Sequence, residues 1–139
     1  MKPQDFSLDF RSGVPVYVQI VEQVGAHLAS GNLKPGDQLP TVRQMAAELR
    51  VNFNTIARAY RMLDEAGLIS TQQGRGTYIL DIPTADQNEK IKANTLESQI
   101  EHFADLLRRQ GFTPDEVEIQ MLKSVRAWRE GNLTEEEDA

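Results

Sequence analysis

Apolar residues recur at helical spacing in three separate runs over the first eighty positions, and the pattern then shortens to that of strands. Tyr17, Ile20, Val21, Val24 and Leu28 form one stripe, opened by Pro15 in a first helical turn and closed by Gly31 as a left-handed stop. Leu33 to Leu39, with Pro35 and Gly36, reads as a loop. Val42, Met45, Ala46 and Leu49 form the second stripe, which starts at a capping box from Thr41 to Gln44 and runs to about Arg50. Ile56, Ala59, Tyr60 and Leu63 form the third, with Asn52 as N-cap and Gly67 as its end. Leu68 to Gln72 and Thr77 to Leu80 are β-prone runs around the turn Gln73, Gly74, Arg75, Gly76. The opening segment through Gly13 carries few regular signals and reads as an extended arm. Three helices and a hairpin, the second and third helices joined by a tight turn, predict a winged helix-turn-helix over residues 1–80.

Beyond it the pattern is purely helical. Residues 81–88, with Pro83 and few large apolar residues, read as a linker. Leu96, Ile100, Phe103 and Leu107 make a stripe that Gly111 ends, and Thr113, Pro114 and Glu116 restart a helix carrying Val117, Met121, Leu122, Val125 and Trp128. Residues 132–139 are an acidic tail, expected to be disordered. The expected fold is therefore mainly α with one small β-hairpin, an N-terminal winged helix-turn-helix followed by a two-helix region at 89–131. Two amphipathic helices share only one mutual interface, so their stripes should pack against a second subunit as a homodimer; the alternative is that they fold back on the winged helix in one monomeric core.

Composition narrows the class. The 139 residues have the apolar and charged fractions of a globular protein and include no cysteine, which excludes disulfides and thiolate metal sites. The first residues lack an apolar run of signal-peptide length and no segment could span a bilayer, so a cytoplasmic protein with no membrane partner is expected. The net charge of −6 argues at first against a polyanionic partner. The charge is unevenly placed, however: 8 basic and 7 acidic side chains through Leu80, against 7 and 14 from Asp81 onward. Arg43, Arg50, Arg58, Arg61 and Arg75 all lie in the helix-turn-helix and hairpin, so the local field there can be positive on an anionic molecule.

The third helix carries opposite chemistries on its two sides: the apolar stripe on one, Asn54, Thr55, Arg58 and Arg61 on the other. A helix fits the major groove, where Asn and Arg can make bidentate contacts to adenine and guanine edges. Asn52, Asn54, Thr55 and Arg58 are the candidate base readers, Arg43 and Arg61 candidate phosphate contacts, and Gly74, Arg75 and Gly76 the candidate wing contact with double-stranded DNA. Singly, each has an ordinary explanation, Asn52 as a cap, Arg50 as a complement to a helix dipole, Arg75 as a solvated turn residue; their joint order and spacing favour DNA. A winged-helix module that binds a protein partner through its acidic half and never touches DNA is the alternative, disfavoured by the grouped arginines. No nucleophile with a base and no phosphate-cradling loop is recognisable, so an enzyme is not expected. His27 and His102 are the two histidines and stand far apart in sequence, so neither a metal nor a cofactor is expected.

The run from Lys34 through Pro35, Gly36, Asp37, Gln38, Leu39, Pro40, Thr41 and Val42 to Arg43, then Met45 to Leu49, Val51 to Tyr60, Leu63 to Leu68 and Gly74 to Thr77, resembles the N-terminal domain of GntR-family bacterial transcription regulators, and the Asn-x-Asn-Thr and Ala-Arg-Ala-Tyr segments resemble the YtrA subfamily. The resemblance implies a winged-helix repressor binding an inverted repeat as a dimer, commonly near genes for a membrane transporter. It places DNA contacts on Arg43, on Asn52, Asn54 and Thr55, and on Gly74 and its neighbours. Members resembling the fatty-acid regulator branch have Arg where this chain has Phe53 and Ala57, so that branch's base preferences do not carry over. The second half is too short for the large effector domains of other branches, which leaves open whether a small molecule binds.

Overall fold

The computed structural model describes residues 2–72 and 76–131, with the side chain of Gln72 excepted. Wing residues Gly74 and Arg75, and the tail 132–139, lie outside the described residues. A short 3-10 turn at Pro3–Asp5 leads to α1 (Val16–Ser30), β1 (Gln38–Leu39), α2 (Val42–Leu49), α3 (Phe53–Glu65), β2 (Ile69–Gln72), β3 (Gly76–Ile79), α4 (Ala85–Arg109) and α5 (Pro114–Arg129). Chain contacts divide it into two units, Met1–Glu97 and Ser98–Ala139.

In the first unit α1 packs on α3, and α3 on α2, around a core that includes Ile20, Val24, Leu33, Met45, Ile56, Leu63 and Leu68. The helix ends follow the expected chemistry. Pro15 stands just before α1, its carbonyl accepting from Val18 and Gln19, and Gly31 closes the helix at φ 82°. Thr41 and Gln44 form the capping box of α2: the Thr41 hydroxyl accepts from the Gln44 N–H at 3.0 Å and the Gln44 side chain from the Thr41 N–H at 2.9 Å.

Three elements differ from the sequence expectation. Residues 38–39, inside the expected loop, form a strand: β1 pairs antiparallel with β3, Gln38 opposite Tyr78 and Leu39 opposite Thr77, so the sheet has the order β1-β3-β2 rather than being a hairpin alone. Two residues are too few to show alternation, and the pairing is made by the backbone.

The opening segment is not a loose arm. Phe6 is buried against α1, with its ring edge-on to His27. Gln19 and Gln23, one helical turn apart, bind the segment as a neighbouring strand would. The Ser7 N–H donates to Gln23 Oε1 at 2.8 Å and Gln23 Nε2 donates to the Ser7 carbonyl. The Asp9 N–H donates to Gln19 Oε1, and Gln19 Nε2 donates to the carbonyls of Asp9 and Val14, each at 2.8 Å.

Residues 85–88, expected within the linker, are the first turn of α4. Thr84 and Gln87 make a second reciprocal cap, at 2.9 and 3.1 Å, and its T-x-x-Q pattern outweighs the preceding proline. Ile91 packs on the first unit's core and Lys90 Nζ donates to the Glu65 carbonyl at 3.2 Å, so the start of α4 belongs to the winged unit.

In the second unit the rest of α4 turns at Gly111 (φ 94°) into α5, where Thr113 accepts from the Glu116 N–H and Pro114 takes the first turn. Near the end of α4, Asp105 pairs with Arg108 at 2.7 Å and Arg109 at 2.8 Å. The hydrogen bond from Arg108, with the nearby positive charges, holds its carboxyl below the ordinary value. Neither α4 nor α5 contains a fully buried residue.

Candidate nucleic-acid interface

The interface is built on the turn between α2 and α3. Arg50, at φ 55°, ψ 48°, terminates α2 in the left-handed region, and both its N–H and that of Val51 donate to the Ala46 carbonyl. Asn52 then caps α3, its Oδ1 accepting from the Asn54 N–H at 2.8 Å. The Asn52 side-chain oxygen is therefore engaged by its own helix, while the residue remains exposed. Behind the turn, Tyr60 of α3 is buried and its hydroxyl donates to the Pro40 carbonyl at 2.5 Å, which fixes α3 to the residues that launch α2. Burial raises the Tyr60 phenol well above its ordinary value, so it stays a donor.

This leaves Arg43 in the first turn of α2 and Asn52, Phe53 and Asn54 at the start of α3 exposed, with Thr55 half-buried beside them. Arg61 is exposed two turns further along α3. Arg58 is placed differently from the base-reading expectation. It is half-buried and its guanidinium carbon lies 4.1 Å from the Tyr17 ring centroid, a cation–π contact with α1. Among the described residues, none of Arg43, Arg58 and Arg61 pairs with a carboxylate, so the three charges are not neutralised locally.

Of the three wing positions, Gly76 is described. It sits at φ 100°, opposite Gln72 at the end of the hairpin, and a β-carbon there would collide with the Gln38 side-chain amide. Glycine is favoured there by the backbone conformation, whereas the Gln38 amide, at the end of a flexible side chain, could swing aside. Gly74 and Arg75 belong to the undescribed tip.

Phe53 has no place among the polar readers expected from the sequence, yet it stands in their midst. It is 51% exposed at the first position of α3. The signal was present in the sequence: a large apolar residue outside the Ile56, Ala59, Tyr60, Leu63 stripe.

Most of the candidate dimer residues are also exposed. In α4, Leu96, Ile100 and Phe103 face solvent, as do Leu122, Val125 and Trp128 in α5, while Leu107, Val117 and Met121 are half-buried where the helices meet. Phe103, Leu107, Phe112, Val117 and Met121 form the apolar part of a groove of about 400 Å³. Among the described residues no three His, Cys, Asp or Glu side chains gather to hold a metal, and no helix is long and apolar enough to cross a membrane.

Residues 16–79 match the family of bacterial regulatory proteins designated gntR. The helix-turn-helix-type transcriptional regulator YhcF of Bacillus subtilis (strain 168) is 34% identical over 88% of this chain and 96% of its own length. The transcriptional repressor YtrA of the same organism is 36% identical over 73% of this chain and 72% of its own. Among solved structures, YtrA from Sulfolobus acidocaldarius, a GntR-family transcription factor, superposes with a TM-score of 0.50 at 28% identity, covering 86% of this chain and 96% of that one. With the winged helix-turn-helix and its outward polar row, these similarities show that the chain belongs to the GntR family and is a DNA-binding transcription regulator, not an enzyme.

Proposed function

We propose that the chain is a transcriptional repressor that binds an inverted-repeat operator as a homodimer. In this reading residues 1–80 bind DNA and the helical region 89–131 joins the subunits. The start of α3 enters the major groove, where Asn54 and Thr55, with the free amide hydrogens of Asn52, meet base edges. Arg43 and Arg61 hold phosphates, Arg75 extends the contact from the wing, and Arg58 joins if it leaves Tyr17. The observation that carries the reading is the exposed polar row at the starts of α2 and α3, held by the Tyr60 contact to Pro40. Repression is favoured by the relative named as a repressor.

Dimerisation is supported by the exposure of Ile100, Phe103, Leu122 and Trp128. Covering a side chain of that size contributes about 1.5–3 kcal/mol, so a few of them repeated across a two-fold axis suffice to hold two subunits. A two-fold dimer also places two recognition helices on half-sites about one helical turn apart.

The test combines sedimentation with a mobility shift on DNA from the chain's own promoter region. Two chains per operator, with affinity that falls as salt rises, is the expected result. A monomer, or a chain indifferent to that DNA in dilute buffer, contradicts the reading.

A further inference from the structure

Phe53 is, among the described residues, the one large apolar side chain of α1, α2 or α3 that is exposed. It stands at the first position of α3, between exposed Asn52 and Asn54. One turn on, Ala57 is half-buried and carries only a methyl group, so the edge of the helix from Phe53 to Ala57 is apolar and low. An apolar spot between two exposed amides matches one feature of duplex DNA. Base edges in the major groove present donors and acceptors throughout, with a single apolar group among them, the C5-methyl of thymine.

We propose that Phe53 is a specificity residue that recognises a thymine methyl in each operator half-site, with Ala57 leaving room for the base to approach. The inference rests on the functional reading above and deepens it: the preferred half-site contains a thymine whose methyl group, rather than its hydrogen-bonding edge, is read. The contact needs no change in the helix, because the ring already stands clear of the core.

The experiment separates the methyl from every other property of the base. Duplexes are selected from a random pool by the full-length chain, and each thymine of the selected half-site is then replaced by deoxyuridine, which removes only the methyl. At one position per half-site the replacement should weaken binding by about 3- to 5-fold, and by about 10- to 25-fold when both half-sites are changed. Phe53→Ala should show that loss with thymine and none further with deoxyuridine, and Phe53→Leu should keep part of the sensitivity. Circular dichroism should show both variants folded, since the ring is exposed. Tolerance of deoxyuridine at every position by the unaltered chain, or undiminished sensitivity in Phe53→Ala, overturns the inference while leaving DNA binding intact. If selection enriches no sequence at all, the functional reading fails with it.

Discussion

The guanidinium of Arg58 rests on the ring of Tyr17, 4.1 Å from its centroid, so a charge expected to face DNA is held against α1. The ring is buried, and its hydroxyl has no hydrogen-bond partner among the described residues. Tyr17→Phe should therefore be neutral or stabilising by up to about 1 kcal/mol, because it removes an unsatisfied buried hydroxyl and keeps the face on which Arg58 sits. Arg58→Ala should cost about 0.5–1 kcal/mol by removing the cation–π interaction. Urea titrations of the two variants and their combination measure both.

Tyr60 should show the opposite pattern. Its hydroxyl serves the Pro40 carbonyl, so Tyr60→Phe should destabilise by about 1–2 kcal/mol. The substitution should also alter the alkaline limit. Burial raises the phenol above its ordinary value of 10.0, so the folded chain keeps a proton that the unfolded chain loses. The stability this contributes is fully present below pH 10.0 and is lost as pH rises from there through the folded value. Thermal melts above pH 10.0 should fall less steeply for Tyr60→Phe than for the unaltered chain.

On DNA, phosphate contacts and base contacts separate by their salt and sequence dependence. Arg43→Ala, Arg61→Ala and Arg75→Ala should weaken binding to all sequences and reduce the salt slope by about one for each arginine replaced. Asn54→Ala should instead narrow the gap between operator and random DNA, by about 1–3 kcal/mol for a bidentate contact in which the amide oxygen accepts from a base and the amide nitrogen donates to it. Mobility shifts at several salt concentrations, with specific and random duplexes, distinguish these outcomes.

Placing a charge on the exposed helices tests the assembly. Phe103 is 46% and Trp128 61% exposed, so glutamate is tolerated at either position by an isolated subunit and not in an apolar subunit contact. Phe103→Glu and Trp128→Glu should shift sedimentation toward the monomer with little change in the circular dichroism of the winged unit.

Periodic pattern and helix-end chemistry made α1, α2, α3 and the hairpin legible, together with the positions that open α3. Signals that depend on a partner distant in sequence were not legible. β1 is too short for any period and exists because β3 lies beside it. Arg58 lies near the polar side of α3, and only the packing of α1 shows that Tyr17 takes it. The start of α4 is a different case. Thr84 and Gln87 repeat the spacing of Thr41 and Gln44, a helix start written in the sequence that the reading of Pro83 as a linker signal passed over.

The leading segment has a practical consequence. Residues 16–79 are the span that matches the family, yet a chain begun at Val16 would lose Phe6, whose ring packs edge-on to His27. It would also strip Gln19, an almost wholly enclosed amide, of its bonds to Asp9 and Val14. A piece cut to that matched span therefore gives up part of the first unit's core, and a tag placed ahead of the chain has to leave those first residues free to lie along α1.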